Sequence, residues 1–197
     1  MSANQDLVPS ASRLPTSTHQ VLAARIQAYR RETGTFLLLD VSGSMDERLS
    51  REERAIDKLR KVARDLRNNC PTVRQIVFPA GPAGPACDQA RELAGDIPEP
   101  GGTTPLAAAI RLAASHGALH LLIVSDGEPT DKEAARQAAQ AAKCQIDVCY
   151  IGRPGDAGEG FLRELARQHG GSCDTVDLRT KQLETKIRGL LGVGAGA

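Results

Sequence analysis

Tryptophan is absent from this chain, and aromatic residues make up only 3% of its 197 positions. A core without large rings has to be aliphatic, built from Leu, Ile, Val and Ala. Charge of one sign is also missing. The formal net charge is +1, which gives no electrostatic push towards nucleic acid or an anionic membrane surface. The longest apolar runs fall far short of the ~20 residues a spanning helix needs. Five cysteines (Cys70, Cys87, Cys144, Cys149 and Cys173) form neither a CxxC pair nor an even disulfide set. Residues 1–20 are polar and carry no apolar h-region, so the expected setting is a reducing cytoplasm. Cys149, inside an apolar run, reads as core.

Enzyme signatures are scarce as well. No G-x-G-x-x-G follows Leu39, which argues against a dinucleotide fold. Val41-Ser42-Gly43 lacks the first glycine of a G-x-S-x-G elbow. A haloacid-dehalogenase-like phosphatase would want a second acid two residues after Asp40, where this chain has Ser42. The four histidines, at 19, 116, 120 and 169, read as surface or capping residues rather than bases. No enzymatic activity is expected.

What is present has a regular rhythm. Hydrophobic residues at 41% and charged residues at 25% are ordinary for a globular domain. Residues 1–20 are expected to be a flexible tail, residues 21–191 the folded domain and residues 192–197 a disordered end, with a lead-in helix over Val21–Arg31. Thr35–Val41 is a continuous apolar run, as in a parallel strand buried on both faces. Similar runs follow at Val73–Phe78, Leu119–Ser125, Gln145–Ile151 and Ser172–Leu178, and a short edge strand is expected near Cys87–Leu93. Between them lie helical patterns. One follows a Ser50-x-x-Glu53 capping box, one opens at Pro105 with Thr104 as N-cap, and one follows a second box, Thr130-x-x-Glu133. Further helices are expected over Glu159–His169 and around Leu183–Leu191. Alternation of this kind implies an α/β fold, a doubly wound and mostly parallel sheet of about six strands with helices on both faces.

Ligands of such sheets bind beyond the carboxyl ends of the strands, at the switch point of the topology. Three loops there carry oxygen donors. Asp40, Ser42 and Ser44 stand at alternate positions as the first strand ends, with Gly43 expected to let the chain curl. Gly101-Gly102 leads into Thr103 and Thr104, and Ser125-Asp126 closes a later strand. Hard cations such as Mg²⁺ want near-octahedral oxygen ligation and keep several waters. Any one of these segments alone would read as an ordinary turn. Glu128 reads as a solvated turn residue, and the arginines and lysines of Arg48–Arg67, interleaved with acids, as a solvated helix face.

D-x-S-x-S at 40–44, a Thr after Gly-Gly, and Ser-Asp-Gly at 125–127, in that order, resemble the metal-ion-dependent adhesion site of von Willebrand factor A domains. TPLAAAI and SDGEPTD are similar to segments of bacterial cytoplasmic members, including those associated with tellurite resistance. The resemblance spans residues 33–191. It implies a Rossmann-like fold with Asp40, Ser42, Ser44, Thr104 and Asp126 around one cation, Ser42, Ser44 and the Thr binding it directly and the two Asp often through water. Family members usually have an apolar helix residue six positions after the Thr. Thr104 followed by Ile110 fits this better than Thr103 followed by Ala109. The implied ion is Mg²⁺, with Mn²⁺ or Ca²⁺ as alternatives. The implied function is cation-dependent protein–protein interaction, in which a partner's Asp or Glu completes the metal shell. AAA-type ATPases or stress-response factors are the partners that the resemblance suggests, with no membrane role. A metal-dependent phosphatase and a nucleic-acid-binding module are the alternatives.

Overall fold

The computed structural model describes residues 34–180 and 182–191. The expected tail, the lead-in helix over Val21–Arg31 and the end at 192–197 lie outside the described residues. Six strands form one sheet: β1 (Thr35–Asp40), β2 (Arg74–Phe78), β3 (Arg91–Glu92), β4 (His120–Ser125), β5 (Gln145–Tyr150) and β6 (Cys173–Thr175). Their order is β3-β2-β1-β4-β5-β6. All neighbours run parallel except the two-residue edge strand β3, which is antiparallel to β2. From β1 the chain steps outward to β2, then crosses back to β4 on the other side. The switch point therefore lies between the carboxyl ends of β1 and β4.

Every residue of β1 is buried, which is why its sequence does not alternate. Leu37 and Leu39 face one layer, formed by α1 (Ala55–Asn69) and α5 (Gln182–Leu191). Phe36 and Leu38 face the other, formed by α2 (Leu106–Ser115), α3 (Lys132–Ala142) and α4 (Ala157–Gln168). Helix α1 presents Ile56, Leu59, Ala63 and Leu66 to the sheet at spacings of three and four. As expected for aliphatic packing, the largest buried residues are mainly Leu and Ile, with Tyr150, Phe36, Phe78 and Met45. Among the described residues no helix is long and apolar enough to cross a membrane.

Several expectations need correction. Helix α1 does not start behind Ser50. Glu53 O accepts from the amides of Leu49 and Ser50 in a tight turn, and Ser50 Oγ accepts from Glu52 N. Arg54 takes the N-cap place, its amide donating to Asp57 Oδ2 at 3.1 Å. Thr130 does not cap α3 either. Asp131 does, accepting from Ala134 N at 2.8 Å. Pro105 precedes the first turn of α2 rather than occupying it, so Thr104 is not its N-cap. Strand β6 is only three residues long.

His120 is not a surface residue. It is 5% exposed, and its Nε2 lies 2.8 Å from Asp147 Oδ2 in the neighbouring strand. His116 and His169 sit at the carboxyl ends of α2 and α4, as expected of capping residues. Cys149 is fully buried, and burial pushes its thiol up to about 12.

Candidate metal centre

The register Leu39↔Val124 sets the end of β1 beside the end of β4, so Asp40 meets Ser125 across the switch point. Asp40 is completely buried. Its Oδ1 accepts the Ser42 amide at 2.9 Å, turning the chain back, and its Oδ2 accepts Ser125 Oγ at 2.6 Å. After Ser42 the chain makes one 3-10 turn, Gly43–Asp46, pinned from below by fully buried Met45. That turn needs no special backbone at Gly43, where an added Cβ would meet only Gly102 O at 3.8 Å. Gly43, expected to let the chain curl, is therefore not what makes it curl. The turn comes from the Asp40–Ser42 hydrogen bond and the Met45 N to Ser42 O bond.

The turn places Ser42 Oγ 3.1 Å from Ser44 Oγ, and Ser44 Oγ donates to Asp126 Oδ1 at 2.8 Å. Four of the five expected donors, Asp40, Ser42, Ser44 and Asp126, thus form one cluster with Ser125. Thr104 lies in the adjoining loop, which Gly101 N ties to Val41 O at 3.0 Å. Its hydroxyl makes no hydrogen bond among the described residues. Thr103 Oγ1 is turned away, donating to Cys87 O at 2.7 Å and lying 3.1 Å from Asp88 Oδ1. Gly102 does need its glycine: φ is +72°, and a Cβ would come within 3.0 Å of Cys87 Sγ. Glu128 stands apart from the cluster, paired with Lys132.

Three supports lie outside the five expected donors. Ser125 holds Asp40. Tyr150 Oη donates to Asp126 O at 3.2 Å. Gly152 packs so closely that a Cβ there would collide with Asp126 O. Only the β4–β5 register reveals the last two. Arg54 bridges the outer rim, its Nη1 lying 3.0 Å from both Asp46 Oδ1 and Glu99 Oε2.

Electrostatically the cluster is one-sided. Burial, and then the neighbouring Asp126 carboxylate, push Asp40 up to about 7. Burial also raises Asp126, against the lowering hydrogen bond from Ser44. No Lys or Arg among the described residues makes an ion pair with either carboxylate. No group of three His, Cys, Asp or Glu among the described residues could hold a metal. The oxygen donors, serine hydroxyls and two carboxylates without a basic partner among the described residues, are of the type a hard divalent cation accepts alongside water. A groove of about 420 Å³ opens beside Ser44 and Asp126, with Ile151, Arg153, Leu178 and Arg179 among its walls.

Among solved structures, the chain is similar to a von Willebrand factor type A protein from Catenulispora acidiphila, at 16% identity and a TM-score of 0.59. The match covers 80% of this chain and 41% of that one. It is also similar to the RO (RSR) protein of Deinococcus radiodurans, at 17% identity and a TM-score of 0.48, over 83% of this chain and 35% of that one. This chain therefore spans well under half the length of either protein. No protein-family model matches the sequence, and no curated protein matches it. The fold is that of a von Willebrand factor A domain.

Proposed function

We propose that this von Willebrand factor A-like fold is a cation-dependent interaction module, in which Asp40, Ser42, Ser44, Thr104 and Asp126 hold one divalent ion, Mg²⁺ by preference, that receives a carboxylate from a partner protein. The observation that carries the reading is the pair of neighbouring carboxylates, buried Asp40 and half-buried Asp126, set among serine hydroxyls with no basic side chain among the described residues to neutralise them. Unpaired buried charge is costly, and a bound cation removes that cost. Because Ser42, Ser44 and Thr104 are neutral, an ion there keeps much of its positive charge towards the open groove. An incoming Asp or Glu then makes a charge-assisted contact, reduced by its own desolvation.

A binding role is favoured over hydrolysis. Asp40 is fully buried with both oxygens engaged, which suits a structural carboxylate better than a nucleophile. Nucleic-acid binding is disfavoured because the basic face of α1 is largely spent within the fold. Arg54 and Arg60 pair with Glu99, Arg64 with Asp96, and Arg67 donates to Gly95 O. Five free cysteines suit a reducing compartment such as the cytoplasm.

Titration calorimetry with Mg²⁺ on the full chain tests the reading. Wild type is expected to bind one ion and Asp126→Asn to give no measurable heat. With Mn²⁺ in the site, acetate as the simplest carboxylate is expected to remove one metal-bound water, seen by electron paramagnetic resonance. Mg²⁺ affinity that is the same in wild type and Asp126→Asn would reject the site. A bound Mn²⁺ indifferent to acetate would reject the carboxylate-receiving role.

A further inference from the structure

The Thr130-x-x-Glu133 pattern reads as a capping box, yet Asp131 caps α3 and leaves the Thr130 side chain for another task. That side chain faces the loop carrying Thr104. Thr104 N donates to Thr130 Oγ1 at 2.9 Å, and Thr130 N donates to Thr104 O at 3.0 Å. One residue thus grips both sides of another, joining the loop after Gly101-Gly102 to the loop after β4. The two ends of the clamp are stiffened separately. Thr104 precedes Pro105, which confines its backbone to extended conformations, and Thr103 is anchored to Cys87 O. Thr130 follows buried Pro129, and the Glu128–Lys132 pair spans the segment that carries it.

From this geometry we infer that Thr130 is a positioning residue for the cation site: its hydroxyl fixes the Thr104 backbone so that the uncommitted Thr104 hydroxyl stays available as a ligand. The inference rests on the metal-site reading above. Unlike Ser42 and Ser44, which are held by the hydrogen-bonded cluster itself, Thr104 has no side-chain hydrogen bond among the described residues to orient it. Its placement depends on its backbone, and Thr130 supplies two of the bonds that backbone makes. Partners that orient a ligand from behind typically change metal affinity by about 10- to 100-fold when removed.

The test uses the full chain and two probes, Mg²⁺ by calorimetry and Mn²⁺ by pulsed electron paramagnetic resonance. Thr130→Val keeps the shape and removes the hydroxyl. It is expected to weaken Mg²⁺ about tenfold and to add a water to the bound Mn²⁺, with the unfolding midpoint in chelator unchanged. Thr130→Ser keeps the hydroxyl and is expected to bind as wild type does. In a Thr104→Val background, Thr130→Val is expected to cost nothing further, since both act through one ligand. Unchanged affinity in Thr130→Val, an equal loss in Thr130→Ser, or additive losses in the double variant would each overturn the role of Thr130 while leaving the metal site standing. Should Thr130→Val fold poorly, Thr130→Ala, which also removes the hydroxyl that holds Thr104 N, takes its place with the same expected loss and the same overturning result. A wild-type chain that binds neither ion would remove both readings together.

Discussion

At the scale of single residues, the candidate site is a problem of unbalanced charge. The packing of β1 against β4 draws Asp40 fully and Asp126 partly out of water, and no basic side chain among the described residues compensates them. The serines between them satisfy hydrogen bonds but carry no charge. Without a cation the fold therefore bears a local repulsion. Asp126→Asn keeps an oxygen that can accept from Ser44 Oγ while removing one of the two charges. In chelator this variant is expected to be more stable than wild type by about 1 kcal/mol, the order of a modest charge repulsion at partial burial. With Mg²⁺ the order reverses, because only wild type gains from the ion. Chemical denaturation in the two buffers measures both. A variant less stable than wild type in chelator would show that the carboxylates do not oppose each other.

At the scale of elements, the strands are joined by a second polar cluster at the opposite end of the sheet. Asp147 in β5 accepts from His120 Nε2 of β4, from Gln145 Nε2, and from the amide and hydroxyl of Ser172 ahead of β6. Burial alone would raise this carboxyl. The hydrogen bonds from His120 and Ser172 outweigh it and hold Asp147 below its ordinary value. A depressed carboxyl stabilises the fold above its unfolded value of 3.8 and loses that contribution as pH falls through the folded value. Asp147→Asn is expected to cost on the order of 2–4 kcal/mol at neutral pH, because it puts an amide among four donors. The deficit should shrink below pH 4. Urea denaturation at pH 7 and pH 3.5 checks it, and an equal deficit at both would remove the ionic role.

This cluster also marks where the sequence stops being legible. Apolar runs announce β1, β4 and β5 because buried parallel strands need them, and D-x-S-x-S announces the loop because alternate donors must share one turn. His120, Asp147 and Ser172 have no such local pattern. Their meeting depends on the register Leu122↔Asp147, a pairing between distant segments. For the same reason Tyr150 and Thr130 could not be read as supports of Asp126 and Thr104, and the capping boxes misled because competing acceptors took over the helix starts.

At the scale of the whole molecule, the site lies where the two halves of the sheet diverge, β2 and β3 on one side of β1 and β4 through β6 on the other. The loops that meet there come from both halves. Gly101 N bonds Val41 O, Ser44 bonds Asp126, and Thr130 bonds Thr104. An ion shared among these loops requires both halves in their folded arrangement, so it binds the native state and not the unfolded chain. Mass action then sets the size of the effect: at 100 times its dissociation constant a single-site ligand adds about 2.7 kcal/mol. For a chain of this length that corresponds to a rise of roughly 5–11 °C in the unfolding midpoint. Differential scanning calorimetry should show that rise with Mg²⁺, growing with the logarithm of ion concentration, and chelator should reverse it. Asp40→Asn and Ser44→Ala should lose it, whereas Asp147→Asn, at the far end of the sheet, should keep the full increment from a lower starting point. A rise of equal size in Asp40→Asn would mean that the ion stabilises the chain from somewhere other than the switch point.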